Sequence, residues 1–344
     1  MFVGVKGNRV ARTLSGAALL LVAACGTPDG PAKVDPVPVQ VDLYRLDRLL
    51  FKAPPDSLAA VSLRAYADLG GFYRLYVERV LRAAPIDDPR LSVALLRFTR
   101  DPDWAAAQAA ADSLFGGMEA QHAELVDAFG RLKALFPDSL TPRVVVFNAG
   151  FNYGIFPTDS MLGVGIEWFI GPDHPVVGLL APEAFPNYVK RRMEPAMLVP
   201  AAVKGWLMVH YLRDAAGEDL LTQLVETGKV MALLDALLPG TAPALKLAFT
   251  PEQLAWCEAH EFNIWRALVA DGQLFSKDPE RIAAYLNDGP FTNGLPRESP
   301  GHIGEWVGLR MVQAYLKAHP RTGLSDLFRG IDARTILKDY KPRD

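Results

Sequence analysis

The chain has 344 residues, half of them apolar and a tenth aromatic, with a formal net charge of −3. A chain of this length and composition can bury a sizeable hydrophobic core. The near-neutral charge and the lack of a basic run argue against a nucleic-acid partner and against electrostatic binding to a membrane surface.

The first 24 residues have the order of a cleavable export signal. Lys6, Arg9 and Arg12 give a positive start, and an apolar run then ends in small residues directly before Cys25. The apolar run is too short to span a bilayer permanently. A cysteine at this position resembles a bacterial lipobox, so we predict that residues 1–24 are removed and that acyl chains such as palmitate on Cys25 bind the membrane. The alternative is an ordinary signal peptide with a chance cysteine.

The predicted location of the mature chain is the cell envelope. Gly26, which follows Cys25, is not the acidic residue that resembles an inner-membrane retention signal. We therefore expect a lipid anchor in the outer membrane, with the folded body facing the periplasm. Residues 25–38 are rich in proline and glycine, which is typical of a tether between a membrane and a folded body.

The body of the protein, residues 39–344, is predicted to be a single domain. The chain has two cysteines, and if Cys25 is lipidated, Cys257 has no partner for an intrachain disulfide. The domain must then be stable in an oxidising compartment without disulfides, and its length makes that feasible.

The first third of the body is predicted to be mainly helical. Alternating apolar and polar residues at 39–43 predict a short strand, and residues 46–51 have the spacing of a helical turn. The helical pattern continues over residues 57–81, with a break at two glycines, 70–71. Residues 89–135 predict two or three further helices.

The middle of the chain predicts one small sheet. Segments 143–147, 151–156 and 161–170 contain β-branched and aromatic residues and have short connections between them. Helical patterns precede and follow these segments. The predicted fold class is therefore α+β, mainly helical with one small β-sheet.

Three helices in the last part of the chain have predicted boundaries. The first, at about 201–214, is apolar nearly all round and is expected to be buried. The second, 250–272, begins with a capping box. The third, 299–318, carries Gly304 and Gly308 on one face. Another backbone could approach closely there, or both glycines are merely tolerated.

The sequence lacks the motifs of the common hydrolases. The zinc-binding pattern His-Glu-x-x-His is absent, since His260-Glu261 begins it without a second histidine in place. No Gly-x-Ser-x-Gly elbow and no phosphate-binding loop occur either. Cys257 lies on the apolar face of a predicted helix, which favours an inert thiol. We therefore predict no cofactor and no catalytic residue.

Glu261 is the candidate buried carboxylate. On a helical wheel it lies on the apolar face of its helix, with Cys257 and Ile264. A buried carboxylate needs a partner or takes up a proton. A structural ion pair, with Arg297 or Arg310, is the simpler interpretation, and a functional site is the alternative.

Several stretches together resemble the gliding-motility lipoprotein family GldB of gliding bacteria. The clearest is Asn-Asp-Gly-Pro-Phe-Thr-Asn at 287–293. The other matching segments are 41–51, 71–80, 235–241, 249–254, 263–265 and 298–304. The resemblance implies a lipoprotein that serves the gliding machinery, and the protein secretion machinery linked to it, with envelope proteins as partners.

A weaker resemblance connects the sheet, the buried helix after it and residues 303–317 with predicted gluzincin-type zinc peptidases. It implies a zinc-peptidase-like scaffold with a degenerate former metal-site region. His210 is what remains of the zinc motif, Trp206 stands in the place of a ligand, and Leu207 stands in the place of the base. Glu226 lies near the position of the downstream acidic ligand. One imidazole would hold zinc weakly, and no group would activate its water.

Three functions stay open at this point. The first is a non-catalytic lipoprotein that binds a partner protein, with the strand at 161–170 offering an exposed edge to a peptide. The second is an atypical metal-dependent peptidase with a site around His210, Glu226 and Glu261. The third is a solute-binding lipoprotein.

Overall fold

The structure, a computed structural model, describes residues 34–344 apart from the side chain of residue 271. The predicted signal, Cys25 and most of the predicted tether therefore lie outside the described residues. Helices make up most of the described chain and surround one four-stranded sheet, which confirms the predicted α+β class. Within residues 34–344, no helix is both long enough and apolar enough to cross a membrane.

The strands are β1 (Leu43–Arg45), β2 (Arg143–Phe147), β3 (Ile155–Pro157) and β4 (Met161–Gly165). The α-helices are α1 (Leu46–Phe51), α2 (Leu58–Leu69), α3 (Gly71–Leu75), α4 (Leu91–Arg100), α5 (Pro102–Phe115), α6 (Glu119–Leu135), α7 (Pro175–Leu179), α8 (Asn187–Lys190), α9 (Leu198–His210), α10 (Leu220–Leu237), α11 (Pro243–Leu247), α12 (Pro251–Ala259), α13 (Glu261–Val269), α14 (Pro279–Leu286), α15 (Gly304–Ala318) and α16 (Ala333–Leu337).

The sheet separates two hydrophobic cores. Its strand order is β1-β2-β4-β3, with β2 parallel to β1 and β4, and β3 antiparallel to β4. Because successive residues of a strand face opposite sides, Val144 and Val146 pack into the larger core, while Val145 and Phe147 pack into the smaller one. The smaller core lies against α1 to α4, and the larger core contains the remaining helices.

Helix α10 runs through the larger core and packs against α15, α9 and α6. Its closest neighbour is α15, where Gly228 and Gly308 meet. A Cβ atom on Gly308 would overlap the carbonyl group of Leu224, so only glycine fits the crossing. Gly304 faces the side chain of Leu224 on the same side of α15. The predicted close approach of a second backbone is confirmed.

The strand predicted at 161–170 is shorter in the structure. It ends at Gly165 and is followed by a 3-10 turn, Ile166–Phe169, in which Glu167 is completely buried. β4 also lies between β2 and β3. The prediction of an exposed edge on this strand is therefore wrong, because both of its edges are already paired.

The helix predicted at 250–272 is two helices in the structure. The capping box is present, with Thr250 as its first residue. Helix α12 then ends at Ala259, and α13 begins at Glu261. The backbone of His260 between them departs from helical geometry.

The chain enters the body along α6. The predicted strand at 39–43 is displaced, because β1 begins only at Leu43, and residues 34–41 lie on the surface of α6 instead. The amide of Val37 donates to the carbonyl of Gly130 at 3.3 Å, and Arg131 Nε donates to the carbonyl of Val34 at 3.1 Å. A side chain at position 130 would collide with Val37, so the glycine makes room for this segment.

Candidate functional site

A cleft of about 800 Å³ lies where the end of α9, the first half of α10 and residues 327–334 meet. We call it the α9–α10 cleft. Its lining includes two residues of the predicted degenerate metal-site region, His210 and Glu226. The cleft is therefore the place to test what chemistry these residues can perform.

The buried side of the cleft, which we call its floor, is an ion-paired cluster on α10. Glu226 and Lys229 are both buried and lie one helical turn apart, with Nζ 2.9 Å from Oε1. Lys229 Nζ also donates to the carbonyl of Ile331 at 2.7 Å. Arg213 Nε lies 3.4 Å from the same carboxylate oxygen. Two cations thus neutralise Glu226, which compensates for its removal from water.

One side of the cleft, its aromatic wall, consists of the rings of Phe136, Tyr211 and Phe328. Their centroids are 5.0, 5.6 and 6.0 Å apart, so each ring touches the other two. Burial raises the pKa of Tyr211, which keeps this phenol neutral. The three rings come from distant parts of the chain, and no sequence motif connects them.

The other predicted residues of the degenerate region lie behind the cleft. Trp206 and Leu207 are buried in the larger core, and Trp206 packs edge to face on Phe129 at 6.1 Å. The ring of His210 lies 3.8 Å from that of Trp206, and its Nε2 atom is 3.1 Å from the carbonyl oxygen of Thr158. The structure therefore brings His210 and Glu226 to one cleft and leaves Trp206 and Leu207 in the core.

These residues do not fit a zinc site. A catalytic zinc ion requires three protein ligands, usually histidines and carboxylates. Within residues 34–344, no three histidine, cysteine or acidic side chains are grouped so that they could hold a metal ion. Lys229 and Arg213 also form ion pairs with the carboxylate of Glu226, and their positive charges disfavour binding of a metal cation there.

Glu261 lies apart from the cleft. It is buried at the start of α13, where its carboxylate lies 3.3 Å from Arg310 Nη2 and accepts a hydrogen bond from the Tyr340 hydroxyl at 3.0 Å. Burial and the neighbouring carboxylate raise the pKa of Tyr340. Of the two predicted partners, Arg310 is confirmed and Arg297 is not. Glu261 does not line the cleft, so the predicted grouping of His210, Glu226 and Glu261 is wrong.

Another buried carboxylate, Glu167, escaped the sequence analysis. Its Oε1 atom accepts hydrogen bonds from the amides of Ala149 and Phe151 at 2.8 and 3.0 Å. Among the described residues, Oε2 has no hydrogen-bond partner. Burial, with a smaller contribution from Asp47, raises the pKa of Glu167 to about 7. The signal in the sequence was a glutamate at an inward-facing position of an otherwise apolar segment.

Asp47, the neighbouring acid, is already paired. Arg45 donates to both of its carboxylate oxygens at 2.9 and 2.7 Å, and Gln108 donates to one of them at 2.9 Å. Gln108 also accepts from Asn148 at 3.3 Å. Arg45 is therefore occupied by Asp47, and a proton is the species that fits the unpartnered oxygen of Glu167.

A family model described as gliding motility protein GldB matches residues 29–342. The matched range includes the sheet, both cores and the whole lining of the α9–α10 cleft. No curated protein and no solved structure matches the chain. The resemblance to gluzincin-type peptidases therefore stays a prediction. The resemblance to the GldB family is confirmed, and the chain belongs to the gliding motility protein GldB family.

Proposed function

We propose that this chain is a non-catalytic lipoprotein of the cell envelope that supports gliding motility, and the linked protein secretion machinery, by binding a partner protein. Membership of the GldB family supports the link to gliding and the assignment as a lipoprotein. In this proposal, acyl chains on Cys25 hold the chain in the outer membrane, and the body faces the periplasm.

The α9–α10 cleft is the observation that carries the proposal. Its volume of about 800 Å³ lies within the range of clefts that enclose bound ligands. Its lining combines tyrosine, phenylalanine and arginine side chains, and tyrosine and arginine are enriched among the energetically dominant residues of protein interfaces. A segment of a partner protein is an occupant that such a mixed lining suits.

The state of the ionisable groups supports a non-catalytic role. A general base needs a free nitrogen or oxygen within reach of the proton that it removes. Glu226 is paired with Lys229 and Arg213, and Nε2 of His210 lies against a backbone carbonyl. Cys257 is buried, and burial raises the pKa of its thiol, so it is a poor nucleophile.

Motility and partner capture test the proposal together. In a gliding host, the double variant Tyr211→Ala/Phe328→Ala should stop colony spreading and lose a partner that is cross-linked to the natural chain. Phe262→Ala, which removes an exposed ring on α13, should retain both and serves as the matched control. Full spreading by the double variant, with its fold intact by circular dichroism, would contradict the proposal.

Two further measurements distinguish the other predicted functions. Stoichiometric zinc in the purified chain, together with turnover of a peptide, would favour a peptidase. A rise in melting temperature with one small solute, lost in the double variant, would favour a solute-binding lipoprotein.

A further inference from the structure

We infer that the α9–α10 cleft binds an extended segment of the partner protein that carries an aromatic side chain next to an acidic one. This inference rests on the proposed function and adds the chemistry of the partner. Three parts of the cleft carry it: the aromatic wall, the floor and the exposed arginines.

The aromatic wall favours a ring on the partner. Phe136, Tyr211 and Phe328 belong to three different segments and are each partly exposed toward the cleft. The amide of Phe136 donates to the carbonyl of Leu132 at 2.8 Å, so the backbone that carries the first ring is held at the end of α6. Aromatic pairs stabilise a complex beyond the area that they bury, because ring edges and faces carry opposite partial charges.

The floor favours a peptide backbone. Lys229 uses two of its three N–H groups, on Glu226 and on Ile331, so its third N–H is an unused donor. A backbone carbonyl of the partner is a neutral acceptor that fits this donor.

The exposed arginines favour an acidic side chain beside the ring. Arg213 and Arg334 both line the cleft with side chains 53% and 75% exposed, and their ion pairs with Glu226 and Asp219 are long, at 3.4 and 3.8 Å. A guanidinium has five N–H donors and binds a carboxylate through two of them at once. Most of the donors of both arginines thus remain available to a partner.

The carboxylates that line the cleft do not use up the free N–H donors of Arg213 and Arg334. Asp332 is occupied as the N-cap of α16, where both of its oxygens accept hydrogen bonds from Thr335 at 2.9 Å. Glu218 also lines the cleft, on the exposed segment before α10, and its two oxygens can accept from only a few of the ten N–H groups of the two guanidinium groups. An acidic residue on the partner is the complement of this arrangement.

Short labelled peptides test the inference directly, with the full chain purified in detergent. One probe contains phenylalanine and glutamate in a serine and glycine background, a second has lysine in place of glutamate, and a third has alanine in place of phenylalanine. We expect the first probe to bind most tightly and to bind less tightly as salt is added. Arg213→Glu and Arg334→Glu should each weaken its binding by about tenfold and should strengthen binding of the lysine probe.

Arg97→Glu is the matched control, because Arg97 is an exposed arginine on α4 and does not line the cleft. It should leave all three affinities unchanged. The inference is overturned if the three probes bind equally, or if neither charge reversal changes the affinity of the first probe. Arginine-dependent binding to anionic phospholipid vesicles, or arginine-dependent self-association of the chain, would overturn it in favour of a lipid or a second copy.

The two proposals fail in different ways. If no probe binds, yet the Tyr211→Ala/Phe328→Ala variant loses both spreading and its cross-linked partner, the partner chemistry is wrong and the proposed function stands. If that variant spreads normally, the proposed function itself fails.

Discussion

Glu167 is the residue whose protonation we expect to govern stability near neutral pH. Burial raises the pKa of its carboxyl from 4.5 to about 7. Between these values the folded chain keeps a proton that the unfolded chain releases, so the free energy of unfolding falls as pH rises through this window. Glu167→Gln retains an oxygen for the amides of Ala149 and Phe151 and removes the titration. Above the window, we expect the variant to be more stable by up to about 3 kcal/mol.

Urea unfolding on either side of the window measures this effect. Near the lower end the natural chain and Glu167→Gln should differ by less than about 1 kcal/mol, because both side chains are then neutral in the folded state and the glutamate of the unfolded chain is at most about half ionised. Glu183→Gln, an exposed carboxyl-to-amide change, should have no comparable effect. Equal pH dependence of Glu167→Gln and the natural chain would show that Glu167 is ionised in the fold.

Arg310 tests whether Glu261 is a structural or a functional acid. Arg310→Met leaves the buried Glu261 carboxylate with Tyr340 as its hydrogen-bond donor, and we expect a loss of about 3 kcal/mol in the free energy of unfolding. The double variant Arg310→Met/Glu261→Gln should recover part of that loss, because it no longer buries an unpaired charge. Urea unfolding of the single and double variants measures both effects. A single variant as stable as the natural chain would argue for a functional carboxylate that tolerates isolation.

For single residues, the sequence predicted which charged side chains are buried better than it predicted which residues contact one another. It predicted that Glu261 is buried beside an arginine, because helical periodicity reports which face of a helix is apolar. It also linked His210 with Glu226, which share the cleft. The aromatic wall was missed, since Phe136 and Phe328 are brought together only by the packing of elements far apart in the chain.

Among the secondary-structure elements, the crossing of α10 and α15 makes the sharpest prediction. Gly308→Ala raises the intrinsic helix propensity by up to about 1 kcal/mol, but its methyl group would overlap the backbone of α10. Overpacking of this kind costs about 1–3 kcal/mol or more, so we expect a net loss in the free energy of unfolding. Thermal unfolding of the variant and of the natural chain measures this loss.

Gly178→Ala provides the matched control for Gly308→Ala. Gly178 lies in helix α7, and an added Cβ atom there would meet no heavy atom within 4 Å. The same substitution should therefore leave stability unchanged or raise it slightly. A stable Gly308→Ala variant would mean that α10 and α15 can separate without loss of the fold.

The elements that the sequence predicted best are those with one apolar face. The helices at 46–51 and 57–69 follow such periodicity, whereas α10 gave no stripe because almost all of its residues are buried. The break at His260 was missed because the apolar residues of α12 and α13 continue in register across it. The helix break predicted at glycines 70–71 is present, and Gly70 has a φ of +51° there.

For the whole molecule, the sequence predicted the class of the fold but not its topology. Composition and patterning were enough for an α+β body with one small sheet. The parallel pairing of β1 with β2 joins segments about 100 residues apart, and β2 has one face in each of the two cores. No local pattern encodes such a pairing, since local patterns report which residues are buried and not what covers them.

Attachment of the whole molecule to the membrane is predicted to depend on Cys25. Two or three acyl chains on one cysteine hold a protein firmly to a bilayer, whereas one chain binds only marginally. Cys25→Ala should therefore move the chain from the membrane fraction to the soluble fraction and abolish incorporation of labelled palmitate. Cys257→Ala should remain in the membrane fraction, because that thiol is buried in the core. If Cys25→Ala still sediments with membranes after an alkaline wash, the lipid is not the anchor; if it is soluble and the cells still glide, anchoring is not required for motility.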